Sequence, residues 1–366
     1  MISVLAHDAL RKATTSDGAR DMEFNHFLST YYPDTRYGAV RLYADMIEQA
    51  RLAERLAYQS VALPEHHLIN ILLTPAPLSM AVKVEAETKR VRIVTSVAVL
   101  PLHDMRIYAG ELVVADALTD GRLILGVGRG AFGYEMDRMG VPLADSRAKF
   151  DESLDVLNAL LTREEVAWDG RWYKFDPITV MPRPARPIPM MIAALAPEAI
   201  YHSVKRGCHI QTTPLMGTRE HMLEQVDAFR RGRDELGAAG RHLELSLLRV
   251  AYVARDEADK REKVAMAYDY YKRFDNVFTG PGLVRHGAIE PLPRKQTIEE
   301  LERNLLIGTA AEVEDKLAEY AEVGIDETIL NMNIGCGQAE KLAYMERFAA
   351  TVMPRFAAGL RVAAAR

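Results

Sequence analysis

From Met22 onward, short apolar runs alternate with longer amphipathic segments of helical period. This alternation constrains the fold more than any other feature, because it is the pattern of a parallel sheet covered by helices. Strands are predicted at residues 23–29, 60–64, 91–100, 122–127, 190–195, 209–213, 245–254 and 327–331. Helices are predicted at 40–57, 77–88, 105–118, 146–161, 197–205, 219–236, 257–273, 298–306 and 310–323. Eight strands with intervening helices close into a (β/α)8 TIM barrel, with an open doubly wound sheet as the alternative. Thr297 with Glu300 and Thr309 with Glu312 have capping-box spacing, and Gly324 stands where a helix ends.

Residues 1–21 carry no sustained period and are expected to form a flexible leader. Residues 22–366 then make a single barrel domain with insertions near 167–189 and 274–296. In the first, Trp168–Tyr173 reads as a hairpin, and Pro182, Pro184, Pro187 and Pro189 exclude a helix. The second is rich in Gly and Pro and has the length of a functional lid. Between Tyr134 and Ala144, which include Pro142, no helical period is expected.

The 366 residues are 49% hydrophobic and 27% charged, which excludes a disordered or fibrous chain. With 46 Lys and Arg against 51 Asp and Glu, the net charge of -5 offers no positive field for nucleic acid or an anionic membrane. A small-molecule partner is expected instead. Cys208 and Cys336 stand outside any CxxC spacing, so neither a zinc site nor a disulfide framework is indicated. That usage suits a reducing cytoplasm, the expected location, and no apolar run reaches the length of a membrane span.

A barrel of this kind carries its chemistry at the C-terminal ends of its strands. That rule nominates His26 and Phe27, Glu65 to His67, Ser96 and Val97, Gly126 to Gly130, Ala194 and Leu195, Thr212 and Thr213, and Asn331. Glu65-His66-His67 is the densest cluster, and a histidine there can act as a base near neutral pH with a carboxylate holding its tautomer. The same residues also suit backbone hydrogen bonding alone, and a zinc reading lacks further ligands at metal spacing. The run Gly126–Gly133 contains a formal GxGxxG, a weak dinucleotide signal because the motif should open a helix and Tyr134–Ala144, with Pro142, shows no helical period. Its glycines suit close approach of backbone to a flat ligand, with Arg129 as a fork for phosphate or carboxylate. Ala193–Glu198 runs from a strand into a helix starting at Pro197, an ordinary turn whose amides also suit an anion.

Met22–Tyr31, Pro64–His67, Leu100–Asp104, Asp120–Gly130 and Ile307–Thr309 together carry a resemblance. From Met22 to Asn333 the chain resembles the bacterial luciferase-like flavin monooxygenases. The resemblance implies a (β/α)8 barrel that binds reduced FMN, delivered by a separate NAD(P)H:flavin reductase, and uses O2 to oxygenate a small organic substrate. It implies that His66 is the catalytic base or proton donor, oriented by Glu65, and that Arg129 grips the flavin phosphate. Ser96-Val97 would carry a non-proline cis peptide under the flavin ring, and Ala194 and Leu195 would lend backbone amides to the phosphate. Relatives often place serine where Leu195 stands, a departure from their pattern. The lid would include Gly280 to Pro293, and a homo-oligomer, dimer or tetramer, is expected. Alternatives are F420-dependent hydride transfer, a non-catalytic flavin-binding protein and a metal-dependent hydrolase on the same barrel. Phe27, Tyr31, Tyr32, Phe132, Tyr134 and Trp168 are candidates to line an apolar pocket.

Overall fold

The computed structural model describes residues 22–32 and 34–356, so the expected leader lies outside the described residues. Eight strands form the barrel: β1 (Glu23–Phe27), β2 (Ser60–Leu63), β3 (Arg92–Thr95), β4 (Leu123–Gly128), β5 (Met190–Ala193), β6 (His209–Thr212), β7 (Leu245–Val253) and β8 (Glu327–Asn331). They pair in parallel in chain order, and the β8–β1 pairing closes the cylinder. The open doubly wound alternative is thereby excluded.

Register sets which side chains enter the barrel. Asn25 stands beside Ser60, Gln211 beside Ser246, and Ser246 beside Glu327. The Glu327 carboxylate accepts hydrogen bonds from Ser60 Oγ (2.6 Å) and Ser246 Oγ (2.8 Å), which identifies this set as the inward one. Side chains alternate along a strand, so Phe24 and His26 face outward. Phe24 packs edge-on against Phe348 at 5.2 Å, and His26 Nε2 lies 3.0 Å from Gln49 Oε1 on the helix Ala39–Arg55. Burial pulls the His26 pKa down to about 4, keeping a neutral ring in the layer between barrel and helices. His26 therefore belongs to the packing, not to the barrel mouth.

The strand expected over 91–100 is interrupted. After β3 the Ser96-Val97 peptide is cis, and Ala98–Val99 then runs beside the end of β4. Two glycines of β4 make room for this segment. A Cβ on Gly126 would lie 2.0 Å from the Thr95 carbonyl oxygen, and one on Gly128 would lie 2.5 Å from Val97 Cγ2. These two glycines admit neighbouring protein, rather than the flat ligand expected from the sequence.

Most helices fall within a few residues of their expected spans, and local chemistry sets their ends. Both capping boxes form, and Gly324 at φ +92° closes the helix Ala310–Glu322, with the Ile325 amide donating to the Tyr320 carbonyl. Residues 134–144 are a correction, since helices occupy Gly133–Arg138 and Leu143–Thr162. Pro142 occupies the N-cap of the second, where it needs no intrahelical N–H. The helix Glu257–Phe278 runs five residues past its expected end. Gln338–Thr351 forms a helix where none was expected, packing Tyr344 on Tyr252 and Phe348 on Phe24.

The first insertion contains the expected hairpin, Val166–Asp169 against Lys174–Ile178. The second insertion is tied down at the mouth. Asn276 Nδ2 donates to the Leu283 and Glu290 carbonyls, its Oδ1 accepts from the Leu283 amide, and the Ile289 amide donates to Asn70 Oδ1 in the loop after β2.

Candidate active site

The loop after β2 presents Glu65, His66 and His67, and the side chains of the first and third meet while that of the second takes a different partner. Glu65 is fully buried. Its Oε1 accepts from His67 Nε2 (2.9 Å) and His103 Nε2 (2.8 Å), and its Oε2 accepts from the Val99 amide (2.8 Å). The expectation that Glu65 orients His66 is thus corrected. The partner of His66 is Glu135, whose Oε2 lies 2.7 Å from Nδ1 and whose Oε1 accepts from the His67 amide. The His66 ring also stacks on Phe132, with centroids 4.3 Å apart and planes at 17°.

This arrangement fixes the roles of the ring nitrogens. A carboxylate at Nδ1 makes that nitrogen the donor, leaving Nε2 of His66 as the atom that can take or give a proton. Glu65 is engaged elsewhere. Burial acts to raise its pKa, but the hydrogen bonds from His103, His67 and the Val99 amide outweigh burial and hold it at about 2. The His67 pKa is raised, chiefly by its hydrogen bond to Glu65.

These shifts predict a pH window for stability. A depressed carboxylate contributes fully above its unfolded value of 4.5 and loses that contribution as pH falls toward about 2. A raised histidine contributes fully below 6.5 and loses it as pH rises through its folded value. The stability difference between the wild type and Glu65→Gln, measured by urea unfolding, should therefore be greatest between pH 4.5 and 6.5 and shrink on either side. A difference independent of pH would remove this account.

The other nominated residues divide into two groups. Ser96 Oγ is buried with no hydrogen-bond partner among the described residues. Arg129 is exposed, with Nη1 3.4 Å from Ser146 Oγ in the first turns of the helix Leu143–Thr162. Ala194 is a second correction: its amide donates to the Gln211 carbonyl (3.0 Å) and its carbonyl accepts from Thr212 Oγ1 (2.7 Å), so that amide is not free for a phosphate. Leu195 follows it, just before the helix Pro197–Lys205, which starts without a side-chain cap. Thr213 Oγ1 accepts from the Leu215 amide, and Asn331 Oδ1 accepts from Ser29 Oγ and the Asn333 amide.

An orphaned buried hydroxyl, an exposed guanidinium and an uncapped helix start fit a flat cofactor with an anionic tail. Among the described residues no set of His, Cys, Asp and Glu side chains is arranged to hold a metal ion. No described helix is long and apolar enough to cross a membrane.

Of the expected pocket aromatics, two join a chain of ring contacts that starts at His66. Phe132 meets Phe274 at 5.4 Å, Phe274 meets Tyr270 at 6.3 Å, and Tyr270 meets Tyr31 at 6.1 Å. Trp168 is instead held in the hairpin by Glu152 at 3.3 Å, and Arg138 covers the Tyr134 ring at 3.7 Å. Glu135 and His103 are the site residues that sequence reasoning missed. Phe132 and Met136, one helical turn apart, were the trace of the short helix that carries Glu135. His103 lies in the segment Leu100–Asp104, which carries the resemblance without giving that residue a role.

The family model described as luciferase-like monooxygenase matches residues 22–327. The chain is 29% identical over 347 residues to the oxygenase component of a flavin-dependent trigonelline monooxygenase from Acinetobacter baylyi, covering 92% of this chain and 96% of that protein. The crystal structure of monooxygenase RslO1 from Streptomyces bottropensis is similar at a TM-score of 0.79 and 25% identity, over 92% of this chain and 100% of that one. An F420-dependent secondary alcohol dehydrogenase shares the fold at a TM-score of 0.72 and 18% identity, over 92% of this chain and 99% of that one.

Proposed function

The chain belongs to the luciferase-like monooxygenase family, and on that footing we propose that it is the oxygenase of a two-component system, using reduced FMN and O2 to oxygenate a small organic substrate. The observation that carries the reading is His66, held by Glu135 at 2.7 Å and by the Phe132 ring, with Nε2 left for proton transfer. Bound reduced flavin would supply the electrons with which O2 is activated. The protein's part is binding, orientation and control of water. Arg129 and the Leu195 amide would hold the phosphate, Ser96 and Val97 would seat the flavin ring, and His66 Nε2 would move a proton at the reacting centre. The insertion tied down by Asn276 would limit water at the mouth.

A separate NAD(P)H:flavin reductase is the partner this reading requires. Ile107, Val114 and Leu118 lie exposed on one side of the helix Met105–Leu118, a surface suited to association of copies of the chain.

Anaerobic titration of the purified protein with reduced FMN and, separately, reduced F420 tests the cofactor. Saturable binding of reduced FMN and little binding of F420 is the expected result. Preference for F420, with no oxygen uptake once substrates are screened, would replace oxygenation by hydride transfer.

A further inference from the structure

A group of three cations, two of them buried, lies outside this machinery, where the middle of β7, the second insertion and the helix Ala310–Glu322 come together. Arg249 on β7 is 4% exposed, and the Arg294 side chain on the insertion is 3% exposed. Arg249 Nη1 donates to the Leu215 carbonyl (3.0 Å), and its Nε has no partner among the described residues. Arg294 Nη2 donates to Gln296 Oε1 (2.7 Å) and Nη1 lies 3.0 Å from Asp275 Oδ2, while its Nε is likewise unpartnered among the described residues. The two are brought together at Leu215 and Met216: Gln296, the acceptor of Arg294, donates through Nε2 to the Met216 carbonyl (2.9 Å), next to the Leu215 carbonyl that accepts from Arg249, and Arg294 Cζ lies 5.3 Å over the Tyr271 ring. Lys316 completes the group. Its Nζ donates to the Leu305 carbonyl (2.6 Å), and the next residue, Leu306, pairs with Ala251 of β7, two residues beyond Arg249.

The carboxylates around this group are already engaged. Glu302 and Glu312 act on Lys316 from a distance, but both pair with Lys260, at 3.2 and 2.7 Å, and Glu312 also closes the capping box of Thr309. Asp275 is held by Arg294. Among the described residues Arg249 and Lys316 therefore have carbonyl acceptors but no carboxylate in contact. Burial and the neighbouring guanidinium lower the Lys316 pKa to about 8, as expected of a cation lacking a counter-ion. Uncompensated buried charge is costly, and unpaired guanidinium N–H groups are suited to oxygen anions.

We propose that Arg249, Arg294 and Lys316 form a binding site for one oxyanion group, phosphate or carboxylate, of a small molecule, distinct from the position of Arg129 beside β4. Arg129 follows β4 and Arg249 lies on β7, three strands further round the barrel. The site does not depend on the flavin reading. Its recognition is that of paired guanidiniums with a flexible ammonium at the rim.

Calorimetric titration of the full-length protein with inorganic phosphate, and separately with acetate, tests the proposal. At least one of the two anions should bind saturably at a site that persists in Arg129→Gln. Its affinity should fall about tenfold or more in Lys316→Gln, recover in Lys316→Arg, and change little in Arg129→Gln. Lys316 is only half-buried and makes one hydrogen bond to backbone, so Lys316→Gln should fold, which a thermal melt checks. Tighter binding of acetate would assign the site to a carboxylate, and tighter binding of phosphate to a phosphorylated molecule. Absence of saturable binding by both anions, or loss in Arg129→Gln with retention in Lys316→Gln, would overturn it. Reduced-FMN binding measured on the same variants reports separately on the flavin reading.

Discussion

Replacing His66 with alanine should lower product formation about a hundredfold to ten-thousandfold, the range for removing a positioned general acid or base, while leaving reduced-FMN binding nearly intact. The side chain is 17% exposed and its hydrogen bond is to a single carboxylate, so the fold should survive the change. Glu135→Gln is the informative companion. It keeps the shape but can present an amide N–H to Nδ1, favouring the tautomer with the proton on Nε2. Activity in Glu135→Gln should fall and its pH profile should shift, whereas Glu65→Gln should act mainly through stability. Oxygen consumption and product yield under single-turnover conditions, measured over a pH series, check both claims. If Glu65→Gln moved the pH profile while Glu135→Gln left it unchanged, the assignment of Glu135 as the partner of His66 would be wrong.

The second large effect is on the scaffold. Gly126→Ala should destabilise the protein by more than about 3 kcal/mol, because overpacking against backbone cannot be relieved by a rotamer change. The added methyl would stand 2.0 Å from the Thr95 carbonyl oxygen, in a place where Thr95 Oγ1 also bonds Gly126 at both its amide (2.9 Å) and its carbonyl (2.8 Å). Gly133→Ala serves as the control from the same glycine-rich run. Its methyl would meet Leu143 Cδ2 at 4.0 Å, an ordinary contact, and its effect should stay within about 1 kcal/mol. Denaturant midpoints of the two variants give the comparison directly. Similar midpoints would show that β3 and β4 shift apart more readily than the packing suggests.

The two glycines also illustrate where a motif misleads. GxGxxG can signal a phosphate loop, but here the glycine requirement begins with two strands in contact. Sequence spacing registers that a side chain is forbidden and is silent on what forbids it. The helix Gln338–Thr351 was missed for a related reason: Tyr344 and Phe348 become a buried face only against Tyr252 and Phe24.

The strand and helix spans, the hairpin at 166–178 and both capping boxes were written locally, in periodicities and side-chain caps that act within one or two turns. The nomination of Glu65, His66 and His67 as a site was legible for the same reason, since a strand end in a barrel faces the mouth. Which carboxylate meets which histidine was not. Glu65 and His66 are adjacent in the chain, but each takes different partners, and that of His66 comes from 69 residues away. The commitment of the Ala194 amide to β6, and the gathering of Arg249, Arg294 and Lys316, likewise depend on barrel closure. Local pattern fixes where elements begin and end, whereas hydrogen-bond partners far apart in sequence are fixed only once the strands have paired.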